Sequence, residues 1–129
     1  MPNFRVQAAV AAVPAAIKDS SARVRVAREL AYVSAQADNL EACFEHRAWE
    51  AVYQLMAKGG VRENEAGACA LGNMALHEGC RLAMQSFAYD ALMRALVANP
   101  YGDDLRKLVA YAQNNLEKKL EPVAARVVQ

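Results

Sequence analysis

Threonine is absent from this 129-residue chain, and Ile17 is its single isoleucine. Strands favour β-branched residues, so their scarcity argues against a sheet protein. The three cysteines, Cys43, Cys69 and Cys80, are too few and of the wrong parity for a disulfide framework. They fit a reducing compartment, and a cytoplasmic location is expected. No asparagine opens an Asn-x-Ser/Thr sequon. No apolar run approaches the roughly 18 residues of a membrane-spanning helix, so no membrane span is expected.

Chemistry-bearing patterns are missing too. Serine is scarce, and no Ser or Cys has a His at a spacing that marks a nucleophile with its base. Lys58-Gly59-Gly60 is a lone turn rather than a phosphate-cradling loop. Glu63, Glu65 and Glu78 are acids on helical stretches, where charge is ordinarily a solvated face. Nothing brings convergent groups to a pocket, so no catalytic residue and no cofactor is expected. With 15 Lys and Arg against 14 Asp and Glu, the formal charge is +1. A near-neutral chain is a poor candidate for nucleic-acid binding through phosphates or for a polybasic membrane anchor.

What is present is a helix-former's composition. Alanine makes up about a fifth of the chain, and 55% of residues are hydrophobic. That content excludes disorder. One domain with a sizeable core is expected at this length. No acid precedes Asp19, and the alanine-rich stretch from Val6 to Ile17 has some look of a signal peptide or a mitochondrial presequence. Gln7 and Pro14 interrupt it and Lys18-Asp19 ends it, which suits an ordinary first helix better. Pro14 should kink or break that helix.

Breakers recur in register. Lys18-Asp19-Ser20-Ser21, Lys58-Gly59-Gly60 and Asn99-Pro100-Tyr101-Gly102 form one series, and Asp38-Asn39 and Glu78-Gly79 a second, each with a period of about 40 residues. Residue types between them repeat as well. Phe4, Phe44 and Met84 fall in register, as do Ala9, Trp49 and Tyr89, and Val26, Gly67 and Val109. The pattern predicts a partial unit over 3–36, a unit over 38–77 and a unit over 79–118, within one domain at 1–119, followed by a tail at 120–129. The middle unit should hold helices near 38–45, 47–58 and 62–77, and the last unit helices near 79–86, 88–98 and 103–118. The long third helix of the first unit falls near 21–36. Val26, Leu30 and Val33 share its core face, and Ala27, Ala31 and Ser34 form a small-residue stripe repeated by Ala68, Gly72 and Ala75.

Ala70-Leu71-Gly72-Asn73-Met74-Ala75, with Glu65 before it, resembles the end of the third helix in an armadillo repeat. Cys80 to Met84 and Ala88-Tyr89-Asp90-Ala91-Leu92 look like the first and second helices that follow. The resemblance implies an all-α, right-handed solenoid of stacked three-helix units, whose third helices line a concave groove. In that family the groove binds extended peptides, and an asparagine of the third helix bonds the peptide backbone. Asn73 matches that position, Asn115 occupies it in the last unit, and Tyr32 in the first. Arg28, Cys69 and Tyr111 stand four residues earlier, where nuclear-import receptors carry tryptophan. With Glu65 and Lys107 also on this face, the groove lacks the acidic, Trp-lined character that basic import signals need. The groove set expected to meet a protein or peptide partner is therefore Asn73, Tyr111, Asn115, Tyr32, Arg28, Cys69, Glu65 and Lys107.

Cys43-x-x-His46 and His77-x-x-Cys80 have zinc-like spacing, but they sit at different repeat positions, and no metal site is expected. Trp49 and its counterpart Tyr89 read as packing between units. Neither end looks like the polar cap that a solenoid needs. Val6 to Ile17 is apolar, and the tail carries Val123, Val127 and Val128. The expected function is non-catalytic protein binding, as an adaptor, scaffold or subunit. The alternative is a structural subunit or homo-oligomer that associates through apolar solenoid ends.

Overall fold

A computed structural model describes residues 4–118, and the expected tail at 120–129 lies outside the described residues. All regular structure among the described residues is helical. The chain opens with α1 (Phe4–Ala11) and α2 (Val13–Ala16), which bury Val6, Ala9, Val13 and Ala16. The break between them is caused by Pro14, which stands in the first turn of α2. There its missing N–H removes no helical bond, whereas in one continuous helix its ring would clash with the carbonyl four residues back.

Helix α3 (Ser20–Ser34) follows and buries Val26, Ala27, Leu30 and Val33. A 3-10 turn (Ala37–Asn39) leads into α4 (Leu40–Glu45) and α5 (Ala48–Lys58). Buried Asn39 closes the end of α3, its Nδ2 donating to the Val33 carbonyl at 2.8 Å. The bend between α4 and α5 is made by Arg47 in the left-handed region at φ 49°. That conformation is unfavourable for a residue with a Cβ. Its guanidinium pairs with Glu50 at 2.7 Å and lies over the Trp49 ring, 5.5 Å from the centroid.

Gly59-Gly60 ends α5, and α6 (Val61–Met74) runs through the centre of the molecule. It lies between α3 and α8 (Asp103–Leu116) and packs on α5 as well. Crowding explains its glycines: a Cβ on Gly67 would sit 2.4 Å from Met56 Cγ. Arg23 on α3 reaches α6 with Nε 3.1 Å from Glu63 Oε2, and its Nη1 donates to the Ile17 carbonyl at 2.6 Å. Glu63 is 3% exposed, so the pair is a buried link between the two helices. Asp103 and Asp104 occupy the first turn of α8, where acids suit the helix dipole.

The last unit departs from the expected pair of helices near 79–86 and 88–98. A single 21-residue helix, α7 (Glu78–Ala98), replaces them. The corresponding junction of the middle unit turns at Arg47, but Gln85-Ser86-Phe87-Ala88 contains no glycine, proline or left-handed residue. Helical hydrogen bonds therefore continue through it. One core unites the helices, with Trp49, Leu30, Leu55, Leu71, Met84 and Leu92 among its largest fully buried side chains.

Candidate functional site

Helices α3, α6 and α8 are held together by polar side chains as well as by apolar packing. Gly72 leaves room for a ring: a Cβ there would lie 2.4 Å from Tyr111 Cε2. Seated against α6, the Tyr111 hydroxyl donates to Asn73 Oδ1 at 2.6 Å. Asn73 Nδ2 donates in turn to the Ala31 carbonyl at 3.2 Å and to Ser34 Oγ at 3.3 Å. One amide thus joins α8, α6 and α3. Asn115 repeats the device one helix later, its Nδ2 donating to the Gly72 carbonyl at 2.9 Å.

Asn73 and Asn115 are 7% and 3% exposed. Their amides face neighbouring helices, and a peptide backbone would have to displace these bonds to reach them. Cys69 is half-buried, with its Sγ 3.8 Å from Asn73 Nδ2, and burial raises its thiol pKa. Burial also raises the Tyr111 phenol. Tyr32 lies at the surface beneath the Arg5 guanidinium, 5.0 Å from the ring centroid, and Arg5 also approaches Glu29 at 3.5 Å. Arg28 and Lys107 are exposed and Glu65 is half-buried. None of these three makes an ion pair among the described residues.

Cys43 and Cys80 are both fully buried in adjoining helices. Burial pushes Cys43 to about 11. It pushes Cys80 to about 12, with smaller contributions from Cys43 and Glu41. His77 caps α7: its Nδ1 accepts from the Cys80 N–H at 3.2 Å. The proton therefore sits on Nε2, which donates to Glu41 Oε2 at 2.9 Å. His46 is exposed. Among the described residues no three of His, Cys, Asp and Glu come together in a metal-binding arrangement, and no helix is long and apolar enough to cross a membrane.

A second surface lies on α7. Leu82, Phe87, Met93 and Val97 stand on α7 at 56%, 67%, 48% and 78% exposure. Between α5 and α7 runs a cleft of about 470 Å³, lined in part by Tyr53, Met56, Ala57, Phe87, Ala91 and Ala95. It exists because methyl groups line it where larger side chains would fill it. Tyr53 forms a fixed wall, its hydroxyl donating to the Met84 carbonyl at 3.1 Å. Asn64 also lines the cleft, and its Oδ1 is buried with no hydrogen-bond partner among the described residues. Sequence reasoning missed this surface. Apolar residues lie all round α7, so its periodicity shows no clean outer face. The available signal was the excess of large apolar residues beyond the buried set of Cys80, Met84, Ala88, Leu92 and Ala95.

Compared with protein-family models, curated proteins and solved structures, the chain finds no match.

Proposed function

We propose that this chain is a non-catalytic protein-interaction module, an armadillo-like α-solenoid that serves as an adaptor, scaffold or subunit of a larger assembly. The observation that carries the reading is the outer side of α7, where Leu82, Phe87, Met93 and Val97 face solvent. Single exposed apolar residues need no explanation, but several large ones along one helix mark a docking surface. The armadillo-like part is supported by the repeated asparagine bonds. Asn73 reaches the preceding third helix across 42 residues, and Asn115 does so across 43. The three free thiols suit a reducing, cytoplasmic setting.

A second reading keeps the third-helix face as the docking surface. What favours it is the set of Arg28, Glu65 and Lys107, one on each third helix and none with an ion-pair partner among the described residues. Asn73 and Asn115 act in that reading as supports of the face.

Affinity capture from native extract tests both, using wild type, Leu82→Asp/Val97→Asp and Arg28→Glu/Lys107→Glu. Circular dichroism checks that each variant is folded. Loss of a specific partner, or of self-association, in the first variant alone supports the α7 surface. Loss in the second alone moves the function to the third-helix face. A wild-type chain that neither self-associates nor retains any protein above control overturns the interaction reading.

A further inference from the structure

Every position along the outer stripe of α7 is exposed. Ala83, Phe87, Asp90, Arg94 and Val97 follow one another at alternating steps of four and three residues, so they share one face. Tyr101, 93% exposed in the turn just after the helix, continues the spacing. This stripe is self-complementary when reversed. Let a second α7 lie antiparallel across a two-fold axis level with Leu92. Phe87 then meets Val97, each five residues from Leu92, and Asp90 meets Arg94, each two residues from it. Ala83 meets Tyr101, a small residue opposite a large one.

We propose that the outer face of α7 is a homodimer interface, in which two copies pack antiparallel and exchange two Asp90–Arg94 ion pairs. The proposal rests on the reading of α7 as the docking surface and names its occupant as a second copy of this chain. Charge selects that occupant and its direction. Neither Asp90 nor Arg94 makes an ion pair among the described residues, although they stand four apart on one helix. The antiparallel arrangement places opposite charges together twice, because a two-fold interface duplicates each contact. A parallel arrangement would set Asp90 against Asp90 and Arg94 against Arg94, which repel.

Shape agrees with charge. A hollow of about 370 Å³ is framed by Asp90, Met93, Arg94, Val97 and Ala98. Phe87 of the second copy faces Val97 and enters that hollow as a knob between side chains of the opposing helix. Phe87 and Val97, 67% and 78% exposed in the single chain, are both covered.

The test is charge reversal and exchange, read by sedimentation velocity over a concentration series at low salt. Wild type should dimerise as concentration rises. Asp90→Arg and Arg94→Asp should each raise the dissociation constant by about a hundredfold or more, because each turns two attractions into two repulsions. The double exchange Asp90→Arg/Arg94→Asp restores opposite charges across the axis and should return affinity to within about tenfold of wild type. Both positions in these variants are exposed, and circular dichroism should show unchanged helix. A wild type that stays monomeric throughout overturns the proposal, as do single reversals that leave the dimer intact. Failure of the folded double exchange to recover the dimer overturns the antiparallel pairing. A monomeric wild type that still holds a partner through Leu82 and Val97 sinks the dimer alone; one that holds none sinks the α7 reading with it.

Discussion

Tyr111 ties α8 to α6 through Asn73: its hydroxyl donates to the Asn73 Oδ1 at 2.6 Å, and the same amide continues to Ala31 on α3. Tyr111→Phe keeps the ring and removes the donor, leaving a buried oxygen without its partner. The expected loss is about 1–3 kcal/mol, read from urea unfolding, with the helical spectrum unchanged. A loss below the error of the measurement would mean that water replaces the hydroxyl.

Gly72→Ala puts a methyl where the Tyr111 ring lies, at 2.4 Å. It should destabilise by about 1–3 kcal/mol, as overpacked interiors do. Combining it with Tyr111→Ala removes the clash, so the double variant should lose less than the sum of the two single losses. Additive losses in the urea series would contradict the close approach.

Arg23→Met leaves Glu63 buried without its cation. The expected cost is about 3–5 kcal/mol, the range for breaking one side of a buried pair. Replacing both residues, Arg23→Met with Glu63→Leu, should recover most of it, because no unpaired charge then remains. Thermal melts of the two variants separate these outcomes.

The thiols should differ in reactivity. Cys69 is half-buried, whereas Cys43 and Cys80 are fully enclosed. A thiol reagent should therefore label one cysteine quickly in the native protein and all three in denaturant. Fast native labelling of Cys43 or Cys80, located by peptide mass, would show that α4 and α7 open locally.

Alkali should destabilise the fold through the same enclosed pair. Their folded pKa values, about 11 for Cys43 and about 12 for Cys80, lie above the ordinary value of 9.0. The unfolded chain thus loses these protons first, and stability falls as pH rises. The contribution is complete below about 9 and disappears as pH climbs through the folded values. Urea midpoints under reducing conditions should drop more steeply above pH 9 for wild type than for a Cys43→Ala/Cys80→Ala variant.

The helix boundaries show where sequence reasoning reaches. The long helices expected near 21–36, 62–77 and 103–118 are observed as Ser20–Ser34, Val61–Met74 and Asp103–Leu116. Asp19, Gly60 and Gly102 stand just before them in extended backbone, and such starts are local. The junction at Phe87 misleads because the repeat suggests a turn that its residues do not encode. Arg47 makes the opposite point: no glycine announces the left-handed turn there, and Glu50 and Trp49 hold its side chain.

Asn73 and Asn115 are legible as one recurring position and Tyr111 as the one four residues before it, but what they touch is not. An amide has the same donors and acceptor whether it meets a ligand or a helix 42 residues away, and only packing selects between them. Composition and periodicity by themselves determined a helical chain and the places where its long helices begin, because those depend on neighbours a few residues apart. Tertiary structure alone decided that the asparagines bond adjacent helices, that α7 runs unbroken, and that Phe87, Asp90, Arg94 and Val97 remain at the surface. Burial depends on residues distant in sequence, which no local pattern records.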